Sequence, residues 1–207
     1  MSQDLLGITS IFITANDVYI NDEGITLDIL NSREEEKEQK ICLADFDHFY
    51  GLNSLKVQHH AINKIEGERV RYVRALQFFN CGLNDLSFLK GGTVQSLSLP
   101  NNRIKDATCL ADLPTLYYVD LKYNPLTSLA LPEKAMYYVS IGYTEMKSLD
   151  FLWGVTSVDQ LWMPGAPIED FDMLFGVYEI GRLYLPKTAN QDIVKKLSCA
   201  KEIHSEK

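Results

Sequence analysis

The sequence predicts an α/β solenoid, in which short parallel strands form one sheet and tight helical segments return the chain between them. Three observations predict it. An apolar pattern recurs every 20 to 22 residues, the residues before each turn alternate like a strand, and those after it have helical spacing. A regular repeat of this length is the signature of stacked units, because no single unit can bury its apolar face alone.

The pattern is clearest in VQSLSLPNNRI, residues 94–104, which is apolar at places one, four, six and eleven. Places four and six alternate with polar residues, as in a strand that is buried on one side. In this repeat a Pro and two Asn follow and end the strand. The same pattern starts at residues 52, 73, 94, 116, 136, 158 and 180. We therefore predict seven repeats over residues 52–193.

The second half of the repeat predicts a tight helical return. Apolar residues stand three apart, which suits a 3₁₀ helix or a short α-helix. Such a return is the crossover that parallel strands require. The clearest examples are LNDLSFL (83–89), IKDATCL (104–110), MKSLDFL (146–152) and IEDFDML (168–174).

The consensus LxxLxLxxNxL, with Asn102 and Asn124 at the ninth place, resembles the leucine-rich repeat family. It is most similar to the ~22-residue class, shared by bacterial internalin-type arrays and a eukaryotic phosphatase regulator. The resemblance covers residues 52–193 and implies a horseshoe or arc with a concave parallel sheet and a convex side of 3₁₀ and short helices. It also implies that the ninth residue points inward and hydrogen-bonds the backbone of the turn. The ninth residues are His60, Cys81, Asn102, Asn124, Thr144, Ala166 and Thr188.

Residues 1–51 do not fit the repeat and are assigned to an N-terminal cap, since an array needs atypical ends to cover its core. DVYINDEGITLDIL (17–30) predicts a hairpin around an NDEG turn, with a separate binding role left open. LADFDHFYGL (43–52) resembles the return of a degenerate repeat. The REEEKEQK run (33–40) is interpreted as a solvated loop or helical turn rather than an acidic docking tail.

Residues 194–207 are assigned to a C-terminal cap or tail. The apolar places of DIVKKL (192–197) suit one face of a helix. We expect Cys199 to pack in this cap. The stretch after the last repeat is too short for an appended ligase domain in which Cys199 would be the nucleophile.

The composition favours a cytoplasmic protein without a nucleic-acid or membrane partner. The chain has 28 Asp and Glu against 20 Lys and Arg, a net charge of −8, which leaves open a basic protein partner. The N-terminus lacks the basic start and apolar run of a secretory signal, and no segment approaches the ~20 apolar residues of a membrane span. The four cysteines have no CxxC spacing, which is typical of a reducing compartment.

No motif in the sequence indicates catalysis. It contains no GxSxG, no HExxH and no glycine-rich phosphate loop. His59, His60 and Cys81 raise the possibility of a metal site, but the repeat turns His59 away from the other two and supplies no fourth ligand. A structural hydrogen-bonding role is therefore favoured for them. We expect no enzymatic activity, no metal and no cofactor.

The alternation predicts an aromatic surface in the fourth to seventh repeats. Places three, five and seven point away from the core, with place eight near the rim, and neighbouring strands lie about 4.8 Å apart, so the rings should form one patch. Exposed Tyr and Trp are enriched at binding hot spots, although rings that only stack and cover the sheet are an alternative. The predicted partner-binding residues are Tyr118, Asp120, Lys122, Tyr123, Tyr138, Tyr143, Trp162, Arg182 and Tyr184.

The leading functional hypothesis is a monomeric, non-enzymatic module that binds a protein partner through this surface. One version is a cytosolic adaptor or regulator, as the resemblance implies. Another is a bacterial immunity protein that inhibits a toxin or enzyme by covering its active site, for which an acidic charge would speed encounter with a basic target. An effector enzyme that uses the repeats to recognise its substrate, and a glycan binder that stacks sugars on the rings, remain alternatives.

Overall fold

The computed structural model describes residues 18–21, 24–30 and 40–206, and its main feature is one large sheet. The strands are β1 (Val18–Asn21), β2 (Gly24–Leu30), β3 (Lys40–Cys42), β4 (Leu52–Gln58), β5 (Ala61–Lys64), β6 (Ala75–Phe79), β7 (Ser96–Ser98), β8 (Asp106–Ala107), β9 (Tyr118–Asp120), β10 (Ser128–Leu129), β11 (Met136–Ser140), β12 (Ser157–Trp162), β13 (Glu179–Leu185) and β14 (Ala200–Ser205). Ten of them form the large sheet in the order β1-β2-β4-β6-β7-β9-β11-β12-β13-β14.

The first two strands confirm the predicted hairpin, because β1 runs antiparallel to β2. From β2 onward the nine strands of the large sheet are parallel. The middle of the predicted NDEG turn, residues 22–23, lies outside the described residues. So does the acidic run up to residue 39.

The register of the sheet confirms the alignment of the repeats. The place-three residues pair in turn from Ser54 to Arg182. The place-four residues beside them are fully buried and form the centre of the core: Leu55, Leu76, Leu97, Val119, Val139, Leu161 and Leu183. The same register continues past both ends of the predicted repeats, to Thr26 in β2 and Glu202 in β14.

Short returns connect the strands. The four segments predicted to be helical each contain a 3₁₀ helix, and the segment compared with a degenerate repeat contains another. The 3₁₀ helices are Leu43–His48, Val70–Tyr72, Ser87–Leu89, Thr108–Asp112, Asp150–Leu152 and Asp172–Gly176. The return after β9 instead carries β10, which pairs in parallel with β8. A parallel sheet whose strands follow chain order, with a short return each time, is compatible with a solenoid-like arc.

Buried side chains at the ninth place close the turns. The Oδ1 atom of Asn102 accepts hydrogen bonds from the backbone N–H groups of Cys81 (2.9 Å) and Leu83 (3.1 Å). Its Nδ2 atom donates to the carbonyls of Phe78, Leu99 and Pro100. Asn124 acts in the same way one repeat later. These bonds satisfy backbone groups that the turn would otherwise bury without a partner.

The expectation that the ninth residue points inward is wrong for the last repeat, because Thr188 is exposed. Here the chain does not enter another return. It turns at Pro186, whose carbonyl accepts a bond from the Ala189 N–H (3.1 Å), and enters helix α1, Gln191–Lys196. Thr188 therefore has no following turn to close.

The C-terminal segment adds a helix and one more strand. Helix α1 starts after Asn190, whose Oδ1 accepts from the backbone N–H groups of Asp192 (3.0 Å) and Ile193 (2.9 Å), a typical N-cap. It confirms the predicted helical face, and Cys199 packs against the core with its Sγ 3.3 Å from the Leu174 carbonyl oxygen. Strand β14 was not predicted. Over the described ranges, no helix is long and apolar enough to cross a membrane.

Candidate functional site

Five aromatic rings form two groups on the side of the sheet that points away from the core, and we call them together the tyrosine face: Tyr118, Tyr123, Tyr138, Tyr143 and Trp162. Tyr118 stacks on Tyr138 with ring centroids 4.6 Å apart and planes 12° from parallel. Tyr123 stacks on Tyr143 at 4.7 Å and 5°. The Tyr143 ring also meets Trp162 at 5.9 Å. The structure therefore brings Tyr118 and Tyr138 together in one group and Tyr123, Tyr143 and Trp162 in another.

Two glycines leave the space in which two of these rings pack against the backbone. A Cβ atom at Gly142 would overlap the Trp162 ring, and one at Gly165 would overlap the Tyr143 ring. Each ring therefore lies directly on the backbone of a neighbouring turn. These contacts restrict the positions that the Trp162 and Tyr143 rings can take.

The turn after each strand has an unusual backbone at place eight. That residue is in the left-handed region, with φ between 53° and 69°, in six successive repeats: His59, Asn80, Asn101, Tyr123, Tyr143 and Gly165. Gly and Asn adopt this conformation readily, whereas a bulky residue there costs about 1–2 kcal/mol. Asn80 and Asn101 show that the fold does not require an aromatic ring at this place. Tyr123 and Tyr143 thus hold strained backbone, an outlier that clusters at functional sites.

Asp120 and Lys122 lie between the two ring stacks in the register of the strands. Asp120 is on the predicted side of the sheet but is only 4% exposed, so little of its carboxylate reaches solvent. Its Oδ2 lies 3.2 Å from the Lys122 Nζ, and its Oδ1 accepts from the Lys122 backbone N–H (3.2 Å). The ammonium of Lys122 is 6.0 Å from the centroid of the Trp162 ring. Asp120 therefore positions Lys122 at the tryptophan, where the cation is attracted to the ring face.

The environment keeps the phenols of the Tyr118–Tyr138 stack protonated. Burial raises the pKa of Tyr118 to about 12, and the Asp120 carboxylate contributes to the rise. Burial and the same carboxylate raise the pKa of Tyr138. Both hydroxyls therefore remain hydrogen-bond donors well above neutral pH.

The remaining two predicted site residues pair with the last strand. Tyr184 stacks on His204 of β14 at 4.6 Å, and the Arg182 Nε lies 3.6 Å from the Glu202 Oε2. Glu202 and His204 were not predicted. The signal was present in Ile203, which stands 20 residues after Leu183, the same spacing as from Val119 to Val139.

The ninth-place cysteine has the structural role that was favoured for it. Its thiol donates to the carbonyls of Val57 (3.4 Å) and Phe79 (3.3 Å), and burial raises the pKa of Cys81 to about 12. Within the part of the chain that the structure describes, no group of three or more His, Cys, Asp or Glu is placed to hold a metal ion.

Several exposed aromatic residues escaped the sequence prediction. Trp153 and Tyr178 are 74% and 87% exposed, and Phe175 and Tyr137 are also exposed. They stand outside the places that the repeat pattern marks as facing outward.

No protein-family model matches this chain, and no curated protein matches it.

Proposed function

We propose that the protein is a non-enzymatic binding module of the leucine-rich repeat type, which grips a protein partner with the tyrosine face on the concave side of its sheet. One observation carries the proposal: Tyr123 and Tyr143 occupy left-handed backbone where the other repeats have His59, Asn80, Asn101 and Gly165. The two rings remain 49% and 43% exposed. A strained and exposed ring adds little to the fold, so a contact outside the chain is the better explanation for it.

Ring stacking alone explains less of the face. Tyr118 and Tyr138 lie on strands and are half-buried, so mutual shielding is sufficient reason for them. Shielding gives no reason to place tyrosines at the turns, because Asn80 and Asn101 serve the same turns elsewhere.

The face has the properties of a protein-binding hot spot. Its tyrosine rings stack in pairs, and the Trp162 and Tyr143 rings also pack on Gly142 and Gly165, so little side-chain entropy is lost when a partner binds. The phenols are donors, and Lys122 offers a cation whose position is fixed by Asp120. Aromatic rings with fixed polar groups at their edges are the residues that dominate binding energy in interfaces.

The experiment is affinity purification with the full chain from an extract of its source organism, followed by titration of the purified partner by calorimetry. The test variant is Y123N/Y143N, which installs the residue that other repeats use. We expect the variant to lose at least about 30-fold in affinity, the effect of removing one hot spot. The control is Tyr72→Asn, which removes a tyrosine that is 55% exposed in another return. Equal affinity of the test variant and the wild type would contradict the proposal.

A second candidate function is inhibition of a basic enzyme or toxin. The observation that favours it is the net charge of −8, which would accelerate association with a basic target. If the captured partner is an enzyme, its activity should fall in proportion to the fraction bound, and Y123N/Y143N should restore that activity. A partner that stays fully active in the complex would favour the adaptor role instead. If the wild type binds immobilised glycans and Y123N/Y143N does not, the ligand of the tyrosine face is a glycan rather than a protein.

A further inference from the structure

A second aromatic surface lies along the side of the sheet where the returns lead into the N-terminal ends of strands β12 and β13. Trp153 follows the 3₁₀ helix Asp150–Leu152, and Tyr178 directly precedes β13. Together they line a cavity of about 550 Å³, whose apolar floor includes Leu152, Val155 and Met173. Trp153 and Tyr178 are 74% and 87% exposed, and neither belongs to the tyrosine face.

The fold does not require an aromatic ring at either position. The segment SFLKG (87–91) has the same pattern as DFLWG (150–154) and places Lys90 where the later repeat has Trp153. Both residues follow a 3₁₀ helix and donate back to its first residue. The Tyr178 N–H bonds the Thr156 carbonyl (3.0 Å), so Thr156 stands at the same place one repeat earlier. Polar residues serve these places elsewhere, so the rings need another reason.

A second cavity lies beside the first in the sequence of the same two repeats. The neighbouring cavity of about 330 Å³ is lined by Ser157 and Glu179, which follow Thr156 and Tyr178 of the first. Its lining adds two more rings, those of Tyr117 and Tyr137. We call the two cavities together the edge groove. Aromatic side chains line both of them.

The edge groove is acidic. Its lining holds three carboxylates and, among the described residues, no Lys, Arg or His: the acids are Asp159, Asp172 and Glu179. Lys201 approaches from β14, and its Nζ lies 2.8 Å from the Glu179 Oε1. Asp159 and Asp172 form no ion pair within the described part of the chain, although Asp159 lies close enough to Lys201 to help raise the pKa of that ammonium after Glu179. Two carboxylates in an aromatic groove favour a cationic ligand.

We propose that the edge groove binds an extended, arginine- or lysine-bearing segment of a protein, whose cations lie on the rings of Trp153 and Tyr178 and pair with Asp172 and Asp159. An acidic or phosphorylated segment would meet like charge, and the polyanionic backbone of a nucleic acid would be repelled for the same reason. This surface is distinct from the tyrosine face, so the proposal stands or falls on its own residues.

The test uses the full chain and a fluorescein-labelled oligoarginine peptide, followed by fluorescence anisotropy, with oligoglutamate as the reference peptide. We expect saturable binding of oligoarginine with one peptide per chain and no binding of oligoglutamate. Trp153→Gln, which keeps the net charge, and Tyr178→Thr, which installs the residue of the preceding repeat, should each weaken binding by about tenfold, the effect of losing one cation–π contact. Two different exposed positions keep the test decisive if one variant folds poorly.

Two controls separate this groove from general attraction of a basic peptide to an acidic chain. Asp112→Asn removes the same charge as Asp172→Asn, but from another return, so only Asp172→Asn should weaken binding. Y123N/Y143N should bind the peptide like the wild type, which keeps this test separate from that of the tyrosine face. Equal effects of Asp112→Asn and Asp172→Asn, unchanged binding by both aromatic variants, or no saturable binding would each overturn the proposal.

Discussion

The sharpest test of the tyrosine face is the single substitution Tyr123→Asn, because it should separate stability from binding. Tyr123 has φ 58° at a place where Asn101, in the preceding repeat, has φ 56°. The backbone of the turn can therefore stay as it is when Asn replaces Tyr. The substitution removes one ring from the stack with Tyr143 and one partly exposed aromatic surface.

The effects on folding nearly cancel. Relief of the left-handed strain should stabilise the chain by about 1–2 kcal/mol. Loss of the stacked pair should destabilise it by about 0.5–1.5 kcal/mol, and the half of the ring that is already exposed contributes little. We therefore expect the free energy of unfolding to change by less than about 1 kcal/mol, which shifts Tm by about 2–4 °C at most for a chain of this size.

The assay is urea unfolding of Tyr123→Asn together with its reverse, Asn101→Tyr. The reverse variant places a bulky residue in the same left-handed turn and should lower the free energy of unfolding by about 1–2 kcal/mol. Partner affinity should fall only in Tyr123→Asn. A loss of more than about 3 kcal/mol in Tyr123→Asn, or no loss in Asn101→Tyr, would refute the claim that place eight is strained.

Three further predictions follow from the buried polar and titratable groups. Asn102→Ala leaves buried backbone groups of two repeats without hydrogen-bond partners and should lower the free energy of unfolding by about 3 kcal/mol or more in the same urea assay. The control is Asn84→Ala, at an exposed position, which should change the free energy of unfolding by less than about 0.5 kcal/mol. Tyr118 keeps its proton to about pH 12 in the folded chain but loses it near pH 10 in the unfolded chain, so the free energy of unfolding should fall as pH rises between these values. The fall should be smaller in the Tyr118→Phe variant. Identical pH profiles of the urea midpoints of the two proteins would contradict this prediction. The Cys81 thiol, with its pKa raised to about 12 by burial, should be the last cysteine to react with a thiol reagent in the native chain, and labelling at the rate of Cys42 would show that the turn opens.

Most of the fold could be predicted from the sequence, since its signals are local and repeated. Alternation of apolar residues over a few places defines each strand, and the spacing of 20 to 22 residues defines how strands align, so the place-four residues from Leu55 to Leu183 were all assigned correctly to the core. The short returns followed from apolar residues three apart. The pattern failed where it weakened: Thr188 is exposed because the chain leaves the array there, and β14 was missed because Ile203 is one of few apolar residues in its segment.

The sequence by itself determined which residues face the core and which face outward, because that choice depends only on alternation within a strand. The tertiary structure alone decided which outward residues reach solvent, because that depends on side chains from repeats about 20 residues away. Asp120 is covered and tied to Lys122, while Tyr123 and Tyr143 are raised on left-handed turns. Trp153 and Tyr178 become one groove only when two successive returns stack side by side. Stacking sets these positions, and no single repeat contains the information.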